Sequence, residues 1–417
     1  MDYFKYKGNT LYGENVSIEK LAARYGTPLY VYSKRAFLER FTELKKAFRK
    51  LDPLICYSVK ACSNSAILRM LVARGAGLDI VSGGELFRAK KAGVRMNKVV
   101  YAGVGKTTEE ITEAIKSGIY FFNVESEPEL RRINAIAGRM GKQVNVALRL
   151  NPDIESHTHH YITTAKKENK FGIVFDTARE IFRHADRYAA VRIRGIHLHI
   201  GSQLTKIAPF VKALNKTLAF LAEEGVADSI DTINLGGGVG IVYDNEKTIN
   251  VREYARALEK ILVPRGLKLI LEPGRYIAGN SAVFVTTVQY IKKTRHKDFA
   301  IVDGAMNDLI RPALYQAHHT IVPVVRRKKQ KHGIYDVVGP VCESGDFFAK
   351  ARRLPELSEG DRVALLGAGA YGFAMSSNYN SRPRPAEILI AGTRHYCIKK
   401  RETMRDIMQG EVLPTHL

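Results

Sequence analysis

The 417-residue sequence has few cysteines, and none of them forms a paired motif. They are Cys56, Cys62, Cys342 and Cys397, and five residues separate the closest two. This spacing argues against a zinc finger, an iron–sulfur site and a disulfide framework. Four scattered thiols are typical of a protein in a reducing compartment.

Long apolar segments are also missing. No uninterrupted apolar run reaches the ~18 residues that a spanning helix needs, and residues 1–4 lack the basic-then-apolar start of a secretory signal. We therefore expect a soluble cytoplasmic protein without membrane contact. Hydrophobic residues make up 45% and charged residues 26%, which excludes a disordered or fibrous chain and, at about 100–200 residues per domain, predicts two domains.

Acidic residues are scarce relative to basic ones. There are 65 Lys and Arg against 42 Asp and Glu, a formal net charge of +23, and the densest basic run covers residues 326–331. No aromatic residue interrupts that run, so a solvated turn between strands explains it better than a specific nucleic-acid site. Weak, salt-sensitive binding to polyanions would follow from the charge alone.

The middle of the chain alternates β-rich runs with amphipathic stretches. Hydrophobic periodicity predicts eight strands in series, at residues 54–61, 78–82, 99–103, 120–124, 144–151, 195–201, 232–238 and 268–274. Most are nearly continuous apolar runs, as expected of parallel strands that are buried on both faces. A (β/α)₈ TIM barrel over residues 32–278 is therefore predicted. The competing open, doubly wound sheet would carry a GxGxxG motif after its first strand, and none is present.

A different pattern begins near residue 279. Residues 279–417 contain six further predicted strands and little helical periodicity, namely residues 283–290, 299–303, 320–325, 336–338, 361–366 and 387–390. Residues 4–9 also read as a strand, so residues 1–31 are assigned to the same unit. The sequence thus predicts a second, mostly antiparallel β domain that is discontinuous along the chain.

Polar residues stand at the C-terminal ends of the predicted barrel strands, where (β/α)₈ barrels build their active sites. Lys60 ends an apolar run, and a desolvated amine can become nucleophilic toward a carbonyl. Solvent exposure at a strand end is the alternative for Lys60, and Asp79 on the second strand is either a structural cap or its partner. His199 on the sixth strand is either functional or a hydrogen-bonded core histidine, and His197 is interpreted as structural.

The last two barrel strands end in features that suit a phosphate and a ring nitrogen. Gly236, Gly237 and Gly238 would let backbone N–H groups approach a phosphate, and Arg275 would add a planar donor. Glu272 could face the ring nitrogen of pyridoxal phosphate and stabilise its protonated form. The alternatives are an ordinary turn for the glycines and a salt bridge at the barrel rim for Glu272.

Several motifs in this order resemble the fold type III, alanine-racemase-like pyridoxal phosphate-dependent decarboxylases. They are residues 57–61, 168–173, 197–203, 236–238, 272–275, 306–315, 342–346 and 369–373. Within that family the sequence is similar to members that act on diaminopimelate. The resemblance implies a carboxy-lyase that converts meso-2,6-diaminopimelate to L-lysine and CO₂, the last step of lysine biosynthesis.

The resemblance also implies residue roles. Lys60 would hold pyridoxal 5′-phosphate covalently, His199 would stack on its ring and Glu272 would pair with the ring nitrogen. Further cofactor contacts would come from Asp79, Ser202, Gly236, Gly237, Gly238, Pro273, Gly274, Arg275 and Tyr371.

For the substrate, the resemblance implies contacts from a second group of residues. Carboxylate recognition would fall to Arg275, Arg311 and Tyr315, and Tyr371 would contact cofactor or substrate. Cys342 would donate a proton and Glu343 would read the distal amino group. The family further implies a homodimer with shared active sites, because the segment around Cys342 would reach the neighbouring subunit's site.

Two other functions remain open. A related decarboxylase could act on another basic amino acid, although Arg311 together with Glu343 argues against ornithine, which has no distal carboxylate. A cofactor-binding regulator without catalysis is disfavoured by the intact Lys60, Cys342 and Glu343.

Overall fold

The computed structural model describes residues 3–154, 170–328 and 330–414. Residues 168 and 169 of one family motif, and Lys329 of the basic run, lie outside that description. The chain divides into two compact units. The β unit comprises Met1–Phe37, Tyr243–Asn245 and Ala278–Leu417, and the barrel unit comprises Leu38–Val242 and Glu246–Ile277.

The β unit begins with a small antiparallel sheet of three strands, β1 (Phe4–Lys7), β2 (Thr10–Gly13) and β3 (Val16–Ser17). Helix α1 (Ile18–Tyr25) follows, and the Ser17 side chain caps it by accepting from the Lys20 N–H. Strand β4 (Leu29–Ser33) then joins the large sheet of this unit, and α2 (Lys34–Ala47) crosses the boundary between the units. Because β4 is paired in that sheet, the β unit extends past the boundary at residue 31 that the sequence suggested.

Eight parallel strands close the barrel, in the spatial order β10-β11-β12-β5-β6-β7-β8-β9. Their bounds are β5 (Leu54–Ser58), β6 (Gly77–Ile80), β7 (Val99–Tyr101), β8 (Phe121–Val124), β9 (Val144–Arg149), β10 (Val191–His197), β11 (Thr232–Asn234) and β12 (Lys268–Leu271). The helices of this part of the chain are α3 (Ser65–Val72), α4 (Gly83–Ala92), α5 (Thr108–Ser117), α6 (Glu127–Arg139), α7 (Phe175–Arg183), α8 (Ala208–Glu223), α9 (Val251–Leu262) and the short α10 (Arg275–Ala278).

Buried apolar side chains explain why these elements form. Helix α3 buries Ile67, Leu68 and Leu71 on one face, the stripe expected at helical spacing. Helix α5 begins with a capping box between Thr107 and Glu110, which satisfies N–H groups that the first helical turn leaves without partners. The predicted barrel is therefore confirmed.

Most barrel strands end earlier than predicted. Strand β5 stops at Ser58, and residues 59–61 form a 3₁₀ turn that carries Lys60. Strand β10 stops at His197, so the placement of His199 on that strand is wrong, because the chain turns away through Gly201 and Gln203, both at positive φ. The three glycines and Glu272 likewise follow β11 and β12. Lys60, His199, the three glycines and Glu272 thus lie just beyond the strand ends, whereas Asp79 lies within β6.

The rest of the β unit contains β13 (Ala282–Lys293), β14 (Asp298–Val302), α11 (Arg311–Tyr315), β15 (Ile321–Pro323), β16 (His332–Val338), β17 (Phe347–Pro355), β18 (Arg362–Leu366), β19 (Ala386–Ala391), β20 (Arg394–Lys399) and α12 (Met404–Ile407). The large sheet has the order β17-β16-β14-β13-β4-β19-β20, with β18 paired to β13 and β15. Among its described strand pairs, only two are parallel, β14 with β16 and β4 with β19. The predicted mostly antiparallel domain is confirmed.

The basic run follows β15 and precedes β16 as a turn between strands, and its Arg326 guanidinium lies over the Tyr6 ring at 3.5 Å. No helix among residues 3–154, 170–328 and 330–414 is long and apolar enough to cross a membrane.

Candidate active site

Lys60 is anchored by Asp79 at the C-terminal end of the barrel strands. Its Nζ donates to Asp79 Oδ2 at 2.7 Å. The Ser58 hydroxyl lies 2.7 Å from the same oxygen and 2.9 Å from the Glu272 carbonyl oxygen. Lys60 is partly exposed, whereas Asp79 is fully buried. The structure thus supports the pairing of Lys60 with Asp79, one of the two alternatives for the aspartate.

Asp79 is an incompletely satisfied buried acid. Its Oδ1 is buried and has no hydrogen-bond partner among the described residues. Burial and the nearby charge of Glu272 raise the pKa of Asp79, while Lys60 and the Ser58 hydrogen bond lower it. A buried carboxylate oxygen without a partner favours a donor nearby, so this corner of the barrel suits a polar ligand beside Lys60.

Glu272 follows β12 and is 4% exposed. Three side chains hold its carboxylate. Asn123 Nδ2 and Asn234 Nδ2 donate to Oε1 at 2.9 and 2.6 Å, and His197 Nε2 lies 3.2 Å from Oε2. The partners come from three different strands, β8, β10 and β11. His197, which was interpreted as structural, is thus one of the groups that position the Glu272 carboxylate.

The same contacts keep Glu272 ionised. Burial by itself would raise its pKa, but the interactions with His197, Lys60 and Asn234 outweigh burial and hold the pKa below its usual range. An ionised carboxylate has about four lone-pair positions, and the three described partners leave room at Oε2. A further group that binds this oxygen must be a hydrogen-bond donor, such as the N–H of a protonated ring nitrogen.

His199 lies against the three glycines. The Gly237 N–H donates to His199 Nδ1 at 3.3 Å, so the proton of the neutral ring is on Nε2. Desolvation, followed by the positive charges of Arg149 and Lys60, lowers the pKa of His199 well below its usual value. A neutral, flat imidazole ring is suited to stacking on an aromatic ligand.

The glycine triplet packs too tightly for any side chain. A Cβ on Gly236 would lie 2.7 Å from the Leu198 carbonyl oxygen, on Gly237 2.4 Å from that of Glu272, and on Gly238 2.6 Å from that of Gly201. Gly236 and Gly238 also have φ of +62° and +100°, which favours glycine. Glycine is required here by the close approach of the neighbouring backbone.

A small cavity adjoins the triplet, and Pro273, Gly274 and Arg275 line it too. Arg275 is 8% exposed, and its Nη2 donates to the Ser202 hydroxyl at 3.0 Å. A buried guanidinium beside hydroxyl and glycine backbone suits a phosphate. The hydroxyl of Tyr276, which also lines the cavity, donates to Glu43 Oε2 at 2.8 Å.

No role was predicted for Glu125 and Arg149, which form a buried ion pair at the ends of β8 and β9. Glu125 Oε2 also accepts from the Gly172 N–H at 2.9 Å, and the Arg149 guanidinium lies 4.8 Å from the centre of the Phe171 ring. Since Arg149 contributes to the low pKa of His199, the pair affects the charge state of the site. Two charged residues at predicted strand ends were the available signal.

Cys342 and Glu343 lie on an exposed loop of the β unit whose backbone is held by the buried Asp346 side chain. Asp346 accepts from the Met306 N–H through Oδ1 and from the Val341 N–H through Oδ2, both at 2.7 Å. The loop is therefore ordered although its side chains are accessible.

Two neighbours contact the side chains of this loop. The Cys342 thiol lies 3.6 Å from Asn380 Oδ1, and the Tyr379 hydroxyl donates to Glu343 Oε1 at 2.5 Å. The hydrogen bond from Tyr379 orients Glu343, a contact that sequence patterns did not reveal.

Three further predicted substrate residues, Arg311, Tyr315 and Tyr371, also belong to the β unit, whereas Arg275 belongs to the barrel unit. Arg311 and Tyr315 begin and end α11. Arg311 is 4% exposed, and its Nη1 lies 2.9 Å from His319 Nε2. Tyr371 has φ of +57°, a conformation that is costly for a non-glycine residue and consistent with a constrained position.

Comparisons with known proteins agree with this geometry. The family model described as "Pyridoxal-dependent decarboxylase, pyridoxal binding domain" matches residues 34–279. The chain belongs to the pyridoxal-dependent decarboxylase family. Its cofactor is pyridoxal 5′-phosphate, and the amine, the ionised acid and the glycine–arginine cavity of the barrel unit fit that molecule's aldehyde, ring nitrogen and phosphate.

Relatives within the family are similar over their full length. The diaminopimelate decarboxylase of Vibrio cholerae is 48% identical over 99% of this chain and 100% of its own. The Helicobacter pylori diaminopimelate decarboxylase, solved in complex with L-lysine, is 41% identical with a TM-score of 0.89, covering 94% of this chain and 98% of that one. The M. jannaschii enzyme, solved in co-complex with L-lysine, is 35% identical with a TM-score of 0.94, covering 100% and 99%.

Proposed function

We propose that this decarboxylase removes one carboxyl group of meso-2,6-diaminopimelate as CO₂ and releases L-lysine, the last step of lysine biosynthesis. The observation that carries the proposal is the ionised Glu272 carboxylate, held by His197, Asn123 and Asn234 in the same barrel end as the Lys60–Asp79 pair. The full-length similarity to diaminopimelate decarboxylases supports the choice of substrate.

In this proposal the barrel unit supplies the cofactor site. Bound pyridoxal phosphate provides an electron sink for the carbon–carbon bond that breaks. Lys60 would hold the cofactor covalently through Nζ, and Asp79 orients that amine. Glu272 would keep a proton on the ring nitrogen, and His199 would stack on the ring. The phosphate would be bound by Ser202, Gly236, Gly237, Gly238, Pro273, Gly274 and Arg275.

The β unit contributes groups that act on the substrate. Cys342 Sγ delivers the proton that replaces CO₂ on the substrate carbon, and Glu343 binds the distal ammonium group. Tyr371 contacts cofactor or substrate, and the carboxylate contacts come from Arg275, Arg311 and Tyr315. Acid and guanidinium groups together match the ammonium and carboxylate of an amino-acid head. A substrate without that head leaves these groups unpaired, so its kcat/KM should be much lower.

We also propose a homodimer in which the Cys342 loop completes the partner subunit's site. The loop's exposure and its rigid attachment through Asp346 support this arrangement. A cytoplasmic location is proposed as well, since all four cysteines are free thiols, as is usual in a reducing compartment.

The proposal is tested by measuring CO₂ release from purified protein loaded with pyridoxal phosphate. Diaminopimelate, ornithine, lysine and arginine are offered separately, and diaminopimelate is expected to be turned over best. Preference for one of the other three amino acids would refute the substrate assignment. Absence of CO₂ from all four would support a cofactor-binding regulator instead.

A further inference from the structure

Arg311 is held by two aromatic rings inside the β unit. Its guanidinium carbon lies 4.5 Å from the centre of the Tyr243 ring, and its Nη1 lies 2.9 Å from His319 Nε2. The His319 and Tyr243 rings meet edge to face, with centroids 5.6 Å apart and planes at 77°. His319 is fully buried. The guanidinium is therefore bounded on one face by tyrosine and on one edge by histidine.

The opposite side of the histidine ring determines its tautomer. His319 Nδ1 lies 2.8 Å from the Leu366 carbonyl oxygen, which can only accept, so Nδ1 carries the proton. In the neutral ring Nε2 then has a lone pair and accepts from Arg311 Nη1, which can only donate. The other tautomer, or a protonated ring, would place two N–H groups against each other.

Hydrogen bonds to the backbone carbonyls of His319 and Thr320 hold this segment in place. The Arg352 Nη1 donates to the His319 carbonyl oxygen at 3.1 Å, and the Leu366 N–H donates to the Thr320 carbonyl at 2.9 Å. Strand β18, which ends at Leu366, thus sets the position of the imidazole ring. The order of contacts runs from the sheet backbone to His319 and from His319 to Arg311.

We propose that His319 is a positioning residue for recognition of the substrate's retained carboxylate. By accepting from Nη1, His319 fixes the orientation of the Arg311 guanidinium before the substrate binds. A guanidinium recognises a carboxylate through directed N–H donors, and fixing it in advance reduces the ordering cost of binding. The inference deepens the proposed function and rests on its assignment of Arg311 to a substrate carboxylate.

Two substitutions separate the two bonds of the histidine. In His319→Asn the side-chain N–H still reaches Leu366, but the side chain is too short to accept from Arg311. In His319→Gln the longer side chain places a carbonyl oxygen where Nε2 was. His395→Gln, a change to another histidine of the β unit, serves as the matched control.

The readouts are kcat and KM for diaminopimelate, with inhibition constants for L-lysine, which keeps the amino-acid head, and for cadaverine, which has no carboxylate. In His319→Asn we expect KM and the L-lysine constant to rise about tenfold or more, the scale of one lost bond to a charged group. We expect little change in kcat and in the cadaverine constant. His319→Gln should recover most of the loss, and His395→Gln should match the parent protein.

Equal shifts for L-lysine and cadaverine, or a fall in kcat alone, would overturn the positioning role. Arg311→Lys separates this failure from failure of the proposed function. If Arg311→Lys leaves KM and L-lysine inhibition unchanged, the carboxylate role of Arg311 is wrong. If Arg311→Lys is impaired while His319→Asn is not, only the inference about His319 fails.

A measurement on the unmodified protein does not depend on whether the variants fold. The ¹⁵N shifts of the His319 ring distinguish its tautomers, and we expect the proton on Nδ1. A proton on Nε2, or on both nitrogens at neutral pH, would contradict the proposal.

Discussion

The acidic site residues of the barrel unit are buried, whereas the site residues on the Cys342 loop of the β unit are exposed. In the barrel unit, Asp79 and Glu272 are 0% and 4% exposed, and neighbouring side chains set their charge. In the β unit, Cys342 and Glu343 are exposed on a loop whose backbone is fixed through Asp346. The charge states of Asp79 and Glu272 are therefore set by folding of the barrel unit. The surroundings of Cys342 and Glu343 are instead completed by whatever covers the exposed loop.

The largest expected effect comes from removing the amine of the barrel unit. Lys60→Ala should abolish the visible absorbance of covalently bound cofactor and reduce turnover to background, because the cofactor's aldehyde then has no amine to bond to. Absorbance spectra and CO₂ release check both points. The exposed Lys116→Ala on α5 is the control, and unchanged absorbance in the Lys60 variant would refute the assignment.

Neutralising the buried acid should have the next largest effect. Glu272→Gln keeps the shape of the side chain but loses the charge, so turnover should fall about 10²- to 10³-fold, as for loss of a preorganised electrostatic group. Cofactor should still bind at Lys60. The exposed Glu109→Gln provides the comparison, and near-normal kcat in the Glu272 variant would show that its charge is not needed.

A smaller and more selective effect is expected at the exposed loop of the β unit. Cys342→Ala should keep the cofactor absorbance and the melting temperature, because the thiol is exposed, while kcat falls about 10²-fold, the lower end of what a positioned proton donor contributes. Cys397 is equally free and exposed, so Cys397→Ala is the matched control. Unimpaired turnover in the Cys342 variant would remove the thiol from the reaction.

The smallest expected effect is on stability. It concerns Asp308, a buried acid of the β unit. Burial raises the pKa of Asp308 to about 7, while the Ala305 N–H and the charges of Arg382 and Arg401 lower it. The folded state therefore holds a proton that the unfolded chain releases near pH 3.9. The stability from Asp308 is complete below about pH 4 and is lost as pH rises toward about 7.

Asp308→Asn cannot titrate and should remove that loss. Its melting temperature relative to the parent protein should increase by a few degrees between roughly pH 5 and pH 8. The exposed Asp228→Asn should show no such trend. A pH-independent difference in the Asp308 variant would mean that Asp308 keeps its charge in the folded protein.

The sequence predicted the barrel well because its strands are apolar on both faces and end in conspicuous polar residues. Lys60 and Glu272 interrupt such runs, and periodicity placed them close to the strand ends, although the strands themselves stop at Ser58 and Leu271. The edge strand β20 was missed because its RHYCIK sequence is polar. Strand β17 was missed because basic residues and the positive φ of Ala351 break its alternation.

The partners of Glu272 were harder to predict. Asn123 and Asn234 interrupt apolar strands as Lys60 does, and that signal was available. Their joint contact with one carboxylate oxygen depends on the closure of the barrel, which brings β8 and β11 to the same glutamate. The contact of His319 with Arg311 likewise depends on the backbone of β18, which local sequence does not specify.

The close fit of Gly237 against the carbonyl of Glu272 has a practical consequence for engineering. Any attempt to retarget the enzyme to a different amino acid by enlarging a residue of the glycine triplet would shift the main chain that carries Glu272. Libraries that leave this stretch untouched should therefore retain far more folded variants.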